Sequence, residues 1–302
     1  MTTTPAPHLP VPGRDARPLQ LLAALACVHL LAVALCLALS APTTWIHECA
    51  YWLACAIGVV GTWRALGAFV PGDHLRRVWT LLAAGAVLLF VGTALRSYWY
   101  AVAGPTPFVQ SPLLPWRTGV VVLANLVSTW ALVLLAFTYQ RAGLSPKMTW
   151  RSALAWAVGL ALSLAVAVPQ LRLDFAQLSA GEVSALSPIT SIVSTLGDML
   201  TILLIVPLLR VAYLMRGGRL ARVWWVMGVS GAAWLVYDAR AWLALLAPGH
   251  EAAALELLRV TRTVGLSAVG VAGWLQHAAL APHPAAKASD ADVAAPAVLP
   301  GA

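Results

Sequence analysis

Long apolar stretches, separated by short polar and basic segments, recur along the whole chain. They fall at about 18–41, 45–67, 78–102, 118–140, 152–171, 188–214, 223–246 and 255–280. Each reaches or exceeds the roughly 20 residues a helix needs, rising 1.5 Å per residue, to cross a hydrocarbon core about 30 Å thick. They are continuous runs rather than alternating ten-residue strands, so the pattern predicts helices and not a membrane β-barrel. The expected fold class is all-α: a polytopic membrane helix bundle with eight transmembrane helices. Residues 1–17, rich in Pro and Thr, read as a cytoplasmic N-terminal tail. Residues 18–280 read as the membrane domain, and the Ala/Pro-rich segment 281–302 as a disordered cytoplasmic tail.

Composition sharpens this. Of 302 residues, 61% are hydrophobic and only 10% charged, against about a quarter charged in soluble domains. A single globule of this size cannot bury so much apolar side chain, so lipid must solvate much of it. The net charge of +8 does not point to nucleic acid, because the basic residues follow topology. Thirteen of the 19 Lys and Arg lie in the termini and in alternate loops: Arg14, Arg17, Arg64, Arg76, Arg77, Arg141, Lys147, Arg151, Arg210, Arg216, Arg219, Arg222 and Lys287. The opposite loops are expected to hold Arg117 and Arg172 against Asp174, Glu182 and Glu251. By the positive-inside rule both termini face the cytoplasm and the span count is even. The partner is then the bilayer, and the Ala/Leu/Arg-rich style suggests a bacterial cytoplasmic (inner) membrane.

Two segments resemble each other at an offset of 145: Leu75–Gly85 (LRRVWTLLAAG) and Leu220–Ser230 (LARVWWVMGVS). They suggest two parallel four-helix repeats, 18–140 and 152–280. The competing reading makes Arg-Val-Trp a mark of the cytoplasmic interface, with Trp79 and Trp224 as belt anchors.

Ionisable residues at membrane depth cost about 2.5–3.5 kcal/mol on insertion scales, so they face partners or cavities. Asp198 is expected near mid-membrane in the sixth span, with Ser191, Ser194, Thr195 and Thr201 on its side of the helix. Asp238, Tyr237 and Arg240 lie in the outer third of the seventh span. Arg259 and Arg262 follow Glu256 in the eighth, and Arg96 extends a stripe of Gly85, Leu89 and Gly92 in the third. His47 and Glu48 open the second. These positions predict a polar pocket in the outer half, lined by Asp198, Asp238, Arg240, Arg259, Arg262, Arg96, Tyr237 and Glu48, with the aspartates facing Arg259 or Arg262. The alternative is a set of ion pairs that lock helices together.

Several chemistries are set aside. Both lysines lie outside the spans, which excludes a Schiff-base pigment. The fourth to seventh spans contain no His, so paired haem ligation is not expected. Cys27, Cys36, Cys49 and Cys55 form no CxxC and read as small apolar residues. No metal-ligand spacing or phosphate-cradling loop is present, so neither metal nor cofactor is expected, and no catalytic residue is assigned. Tyr237-Asp238 and Gly197-Asp198 are similar to the paired motifs of intramembrane aspartyl proteases. However, Thr195 stands where the first Gly belongs, the order is reversed, and no Pro-Ala-Leu follows.

The segment STLGDMLTILLIVPLL, a basic loop and RVWWVMGVSGAAWLVYDARAWL resemble the multi-helix membrane sensor domains that precede bacterial diguanylate cyclases and histidine kinases. The match falls on Gly197, Asp198, Asp238 and Trp224, within 188–246. The resemblance implies a sensor-like or receptor-like protein binding a small ligand from the periplasmic side. No output domain follows Leu280, so a separate signalling partner is expected. A transporter is the alternative, with Pro169 and Pro207 as helix breakers.

Overall fold

A computed structural model describes residues 16–104, 106–141, 149–181, 185–214 and 218–280. The described residues form eight long helices and no strand. They are α1 (Arg17–Ala38), α2 (Thr44–Leu66), α3 (His74–Ala103), α4 (Leu114–Arg141), α5 (Trp150–Ala180), α6 (Leu186–Leu214), α7 (Arg219–Asp238) and α8 (Glu251–Leu280). The residues proposed above as disordered tails lie almost entirely outside the described ones.

Local chemistry sets several of the boundaries. Asp73 caps α3 by accepting from the Leu75 N–H at 3.0 Å. Thr149 and Ser152 form a reciprocal capping box at the start of α5. Gly181, at φ 66°, ends α5 in the left-handed conformation.

Seven helices are long and apolar enough to cross a membrane, which makes the chain a multi-pass membrane protein. The exception among the described helices is α8. Glu251, Glu256, Arg259 and Arg262 occupy its first half, and small or polar residues (Gly265, Ser267, Gly270, Gly273, Gln276) fill much of its second. The packing explains this departure: α8 is flanked by α1, α2 and α7, so protein rather than lipid solvates much of it. By contrast α1 exposes Val28, Leu31 and Leu35, as a lipid-facing helix does.

Six helices close a ring in the order α2, α3, α4, α6, α7, α8 and back to α2. Outside it, α1 lies on α8 and α2, and α5 lies on α6 and the segment after α7. The helices alternate in direction. One apolar cluster gathers the starts of α3 and α7 (Val78, Trp79, Val223, Trp224) with the ends of α2, α4, α6 and α8 (Ala65, Leu135, Leu208, Leu275). Leu19, Leu22 and Leu25 of α1 pack against it. We call this the proximal end and the opposite one distal. Trp79 and Trp224 are each only 2% exposed; they are core residues, not the interfacial anchors of the competing reading.

The ring closes at a backbone contact. Gly58 and Gly61 of α2 meet Gly270 and Gly273 of α8, and a Cβ on Gly61 would fall on the Gly270 carbonyl. Such small-residue crossings let two helices approach closely, so that dispersion and Cα–H···O contacts hold them.

Three of the expected spans change. The fifth span extends to Ala180, so Arg172 and Asp174 are helical rather than in a loop, and Arg117 likewise lies within α4; Glu182 is outside the described residues. The seventh is interrupted: its α-helix stops at Asp238 and continues as a 3-10 turn (Ala239–Trp242) and one α-turn (Leu243–Leu246).

Gly270→Val should therefore lower the melting temperature strongly, since overpacking a tight core typically costs about 1–3 kcal/mol and a backbone clash has no soft neighbour to yield. Gly119→Ala, where an added Cβ meets nothing within 4 Å, should leave it unchanged. Thermal unfolding of both variants in detergent provides the comparison.

Candidate functional site

Above the apolar cluster, the ring encloses a cavity of about 510 Å³, within the usual range for small-ligand sites. Leu82, Leu132, Ile205 and Met227 line its apolar part. Leu82, Leu132 and Met227 belong to the proximal cluster with Trp79 and Trp224, which packs that end with side chains. Further apolar residues, among them Leu89, Val121 and Leu266, are interspersed with polar ones that come from all six ring helices and α5.

The α6 wall follows the sequence expectation. Ser191, Ser194, Asp198 and Thr201 share one helix face and line the cavity. Ser194 Oγ accepts from Asn125 Nδ2 at 2.7 Å. Thr195 is instead buried away from the cavity lining.

Asp198 does not face Arg259 or Arg262. Its carboxyl lies beside that of Asp238. An ionised carboxylate only accepts, so a hydrogen bond between the two would require a proton between them. Depths estimated along the expected spans separated the two aspartates; the antiparallel packing of α7 on α6, with Gly231 against Ile205 and Gly228 against Leu209, brings Asp238, the last α-helical residue of α7, level with Asp198. Irregular backbone at membrane depth is tolerated where protein buries it or where it lines a cavity. Here the Trp242 indole donates to the Ala165 carbonyl of α5 at 3.0 Å.

Arg240 sits on that break. Its Nη2 donates to Ser191 Oγ at 2.7 Å and its Nε to Gln170 Oε1 at 3.0 Å. Its guanidinium lies 5.3 Å from the Tyr237 ring centroid. Gln170 Nε2 in turn donates to Asp174 Oδ1 at 2.9 Å. Gln170, Asp174 and Arg117 line the cavity but are absent from the expected pocket. Gln170 already lay within the expected fifth span, and carrying that span past Leu171 would have brought in Asp174 as well.

The other wall is cationic and aromatic. The Arg262 guanidinium lies between two rings, 4.8 Å and 5.1 Å from the Tyr51 and Tyr237 centroids. Arg96 Nε lies 2.7 Å from Glu48 Oε1, somewhat off the line of an ideal hydrogen bond. Ser97 Oγ donates to the other Glu48 oxygen at 2.5 Å and accepts from the Trp52 indole at 2.9 Å. Arg96 and Glu48 do not line the cavity; they brace α3 against α2 behind it. Arg259 also stands apart, donating to Glu256 at 2.6 Å. Glu256 joins a chain in which His47 Nε2 is 2.8 Å from its carboxylate, His29 Nε2 is 3.0 Å from His47 Nδ1, and the Thr43 hydroxyl donates at 2.6 Å.

Of the eight expected pocket residues, Asp198, Asp238, Tyr237, Arg240 and Arg262 therefore line one cavity, whereas Arg96, Glu48 and Arg259 form supporting ion pairs. Among the described residues no group of three or more His, Cys, Asp or Glu side chains could hold a metal ion.

Glu48 and Arg96 are 4% and 8% exposed, so Glu48→Gln strands a buried guanidinium and should cost about 3–5 kcal/mol. The double variant Glu48→Gln/Arg96→Gln should recover much of that loss. A double-mutant cycle of melting temperatures decides it, and additive losses would show that the pair does not interact.

The chain matches no protein-family model, no curated protein and no solved structure, so its function is argued from the geometry of this cavity.

Proposed function

We propose that the protein is a sensor-like or receptor-like membrane protein that binds a small polar ligand in the distal cavity. The observation that carries this reading is a partly enclosed volume of about 510 Å³ that gathers Asp198, Asp238, Arg240, Arg117 and Arg262 within the ring and is backed by an apolar cluster. A stabilising set of ion pairs would need no such volume. The cluster around Trp79 and Trp224 also argues against the transporter alternative, which requires access from both faces.

The finer topology belongs to the same proposal: eight spans, both termini in the cytoplasm of a bacterium, and a distal end facing the periplasm. Arg17, Arg64, Arg76, Arg77, Arg219 and Arg222 all fall at helix ends on the proximal side, which supports this orientation. A separate signalling partner would meet the proximal face. Two four-helix repeats are supported by the ring itself, whose order α2-α3-α4-α6-α7-α8 maps onto itself when each helix number advances by four. At the 145-residue offset Trp79 aligns with Trp224, both in the core, and Arg117 with Arg262, both on the cavity. The likeness to bacterial sensor domains rests on Gly197, Asp198 and Asp238.

A second reading, an intramembrane aspartyl enzyme, is favoured by one observation: the Asp198–Asp238 contact, which resembles a proton-sharing catalytic dyad. It predicts hydrolysis of transmembrane peptide substrates that is lost in both Asp198→Asn and Asp238→Asn. Absence of turnover by the wild type removes it.

Two measurements test the main proposal. Ser194→Cys, placed in the cavity, should react with a membrane-impermeant maleimide from the periplasmic side only; reaction from both faces would favour transport. A library of polar metabolites should contain compounds that raise the melting temperature of the wild type but not of Asp198→Asn or Arg262→Gln. If no compound does so and both variants simply melt early, the buried charges are structural.

A further inference from the structure

The cationic wall carries more positive charge than its neighbours balance. Arg117 reaches the cavity from the first turn of α4. Its Nε is buried without a hydrogen-bond partner, and its guanidinium lies 5.2 Å from the Phe108 ring centroid. The charged side chains that act on it most strongly are Arg96 and Arg262, both cations. Glu48 neutralises Arg96, and Glu256 serves Arg259 and His47. Among the described residues, no carboxylate lies within ion-pair distance of Arg117 or Arg262.

The acidic groups are segregated on the opposite wall. Asp174, Asp198 and Asp238 lie on α5, α6 and α7, with Arg240 held among Gln170, Ser191 and Tyr237. The Asp198 and Asp238 carboxyls lie side by side, and the Arg240 guanidinium near them offsets part of their charge. Two guanidiniums without carboxylates thus face a cavity whose far wall offers hydroxyls. A buried charge without a counter-ion costs several kcal/mol, and a guanidinium fork suits the paired oxygens of a carboxylate or phosphate.

We infer that the cavity's ligand carries an anionic group, a carboxylate or a phosphate, and that Arg117 and Arg262 receive it. This rests on the cavity being a ligand site. The anion sits against α4 and α8, away from the three aspartates. The body of the ligand lies along Tyr51 and Tyr237 toward the Ser191, Ser194 and Thr201 hydroxyls of α6. Arg117 belongs to this site through its placement alone, for it stands near the end of its span where a loop arginine would also stand. The same oxygen chemistry could come from a soluble molecule or from the headgroup of an anionic lipid.

Arginine modification by phenylglyoxal, mapped by peptide mass spectrometry on the full chain in lipid nanodiscs, tests this. In phosphatidylcholine discs Arg117 and Arg262 should react. Inorganic phosphate, succinate, or replacement of part of the lipid by phosphatidylglycerol should slow both reactions several-fold; protection by the soluble anions or by the lipid tells the two sources apart. In Arg117→Gln, about ten- to a hundredfold more of the protecting anion should be needed at Arg262. If both arginines react at the same rate under every condition, the anion inference is wrong while the cavity remains accessible. If they resist the reagent while the Ser194→Cys thiol reacts, they are engaged internally and the inference again fails. If that thiol resists as well, the cavity is closed and the ligand-site reading falls with it.

Discussion

The backbone contact between α2 and α8 is the constraint on which the rest of the molecule depends. Four glycines remove the side chains that would hold the helices apart. Helix association in lipid has little hydrophobic driving force, so close packing must supply it. With the first helix pair and the last brought together, the ring closes. A closed ring has an inside, and that inside is the one place where a chain so rich in apolar residues can keep charge away from lipid.

The glycine contact also sets which polar groups meet. Glu48 and Tyr51 precede Gly58 by ten and seven residues on α2, and Arg262 precedes Gly270 by eight on α8. Antiparallel crossing would normally send these in opposite directions; here both lie on the distal side of the crossing because α2 and α8 run the same way, from distal to proximal. Tyr51 is thereby presented to Arg262. The adjoining pair of Arg96 with Glu48 and the chain from His29 through His47 to Glu256 are secured on the same wall. The low-dielectric surroundings make each contact matter, since an unpartnered polar group there has no water to fall back on.

The break at Asp238 does a different task. A continuous α7 would carry Arg240 on around the helix. Ending the α-helix after Asp238, which the α6–α7 packing already sets beside Asp198, lets Arg240 reach α5 and α6. The two walls of the cavity consequently differ in chemistry, one holding the paired aspartates and a satisfied arginine, the other holding arginines without carboxylates. That asymmetry, imposed on a ring whose helix order is otherwise self-similar, is what gives the cavity a direction for a bound molecule.

Much of this could be read from the chain. The lengths of the apolar runs determined the number and rough placement of the long helices, because lipid penalises unpaired backbone so heavily that few alternatives survive. The polar face of α6 was legible from helical spacing, as were the candidate charges, since an ionisable residue within an apolar run stands out. What periodicity could not convey was who faces whom. It paired the aspartates with Arg259 or Arg262, but the tertiary structure joined them to each other and gave Arg259 to Glu256. It put Trp79 and Trp224 at the interface in one reading, whereas ring closure buried both. It left Asp174 and Arg117 in loops and outside the pocket, because span ends are set by packing and not by hydropathy alone. The low apolarity of α8 has the same origin. Sequence determines which segments can live in lipid; only the packed ring decides which faces never meet it, because that depends on contacts between residues some two hundred positions apart.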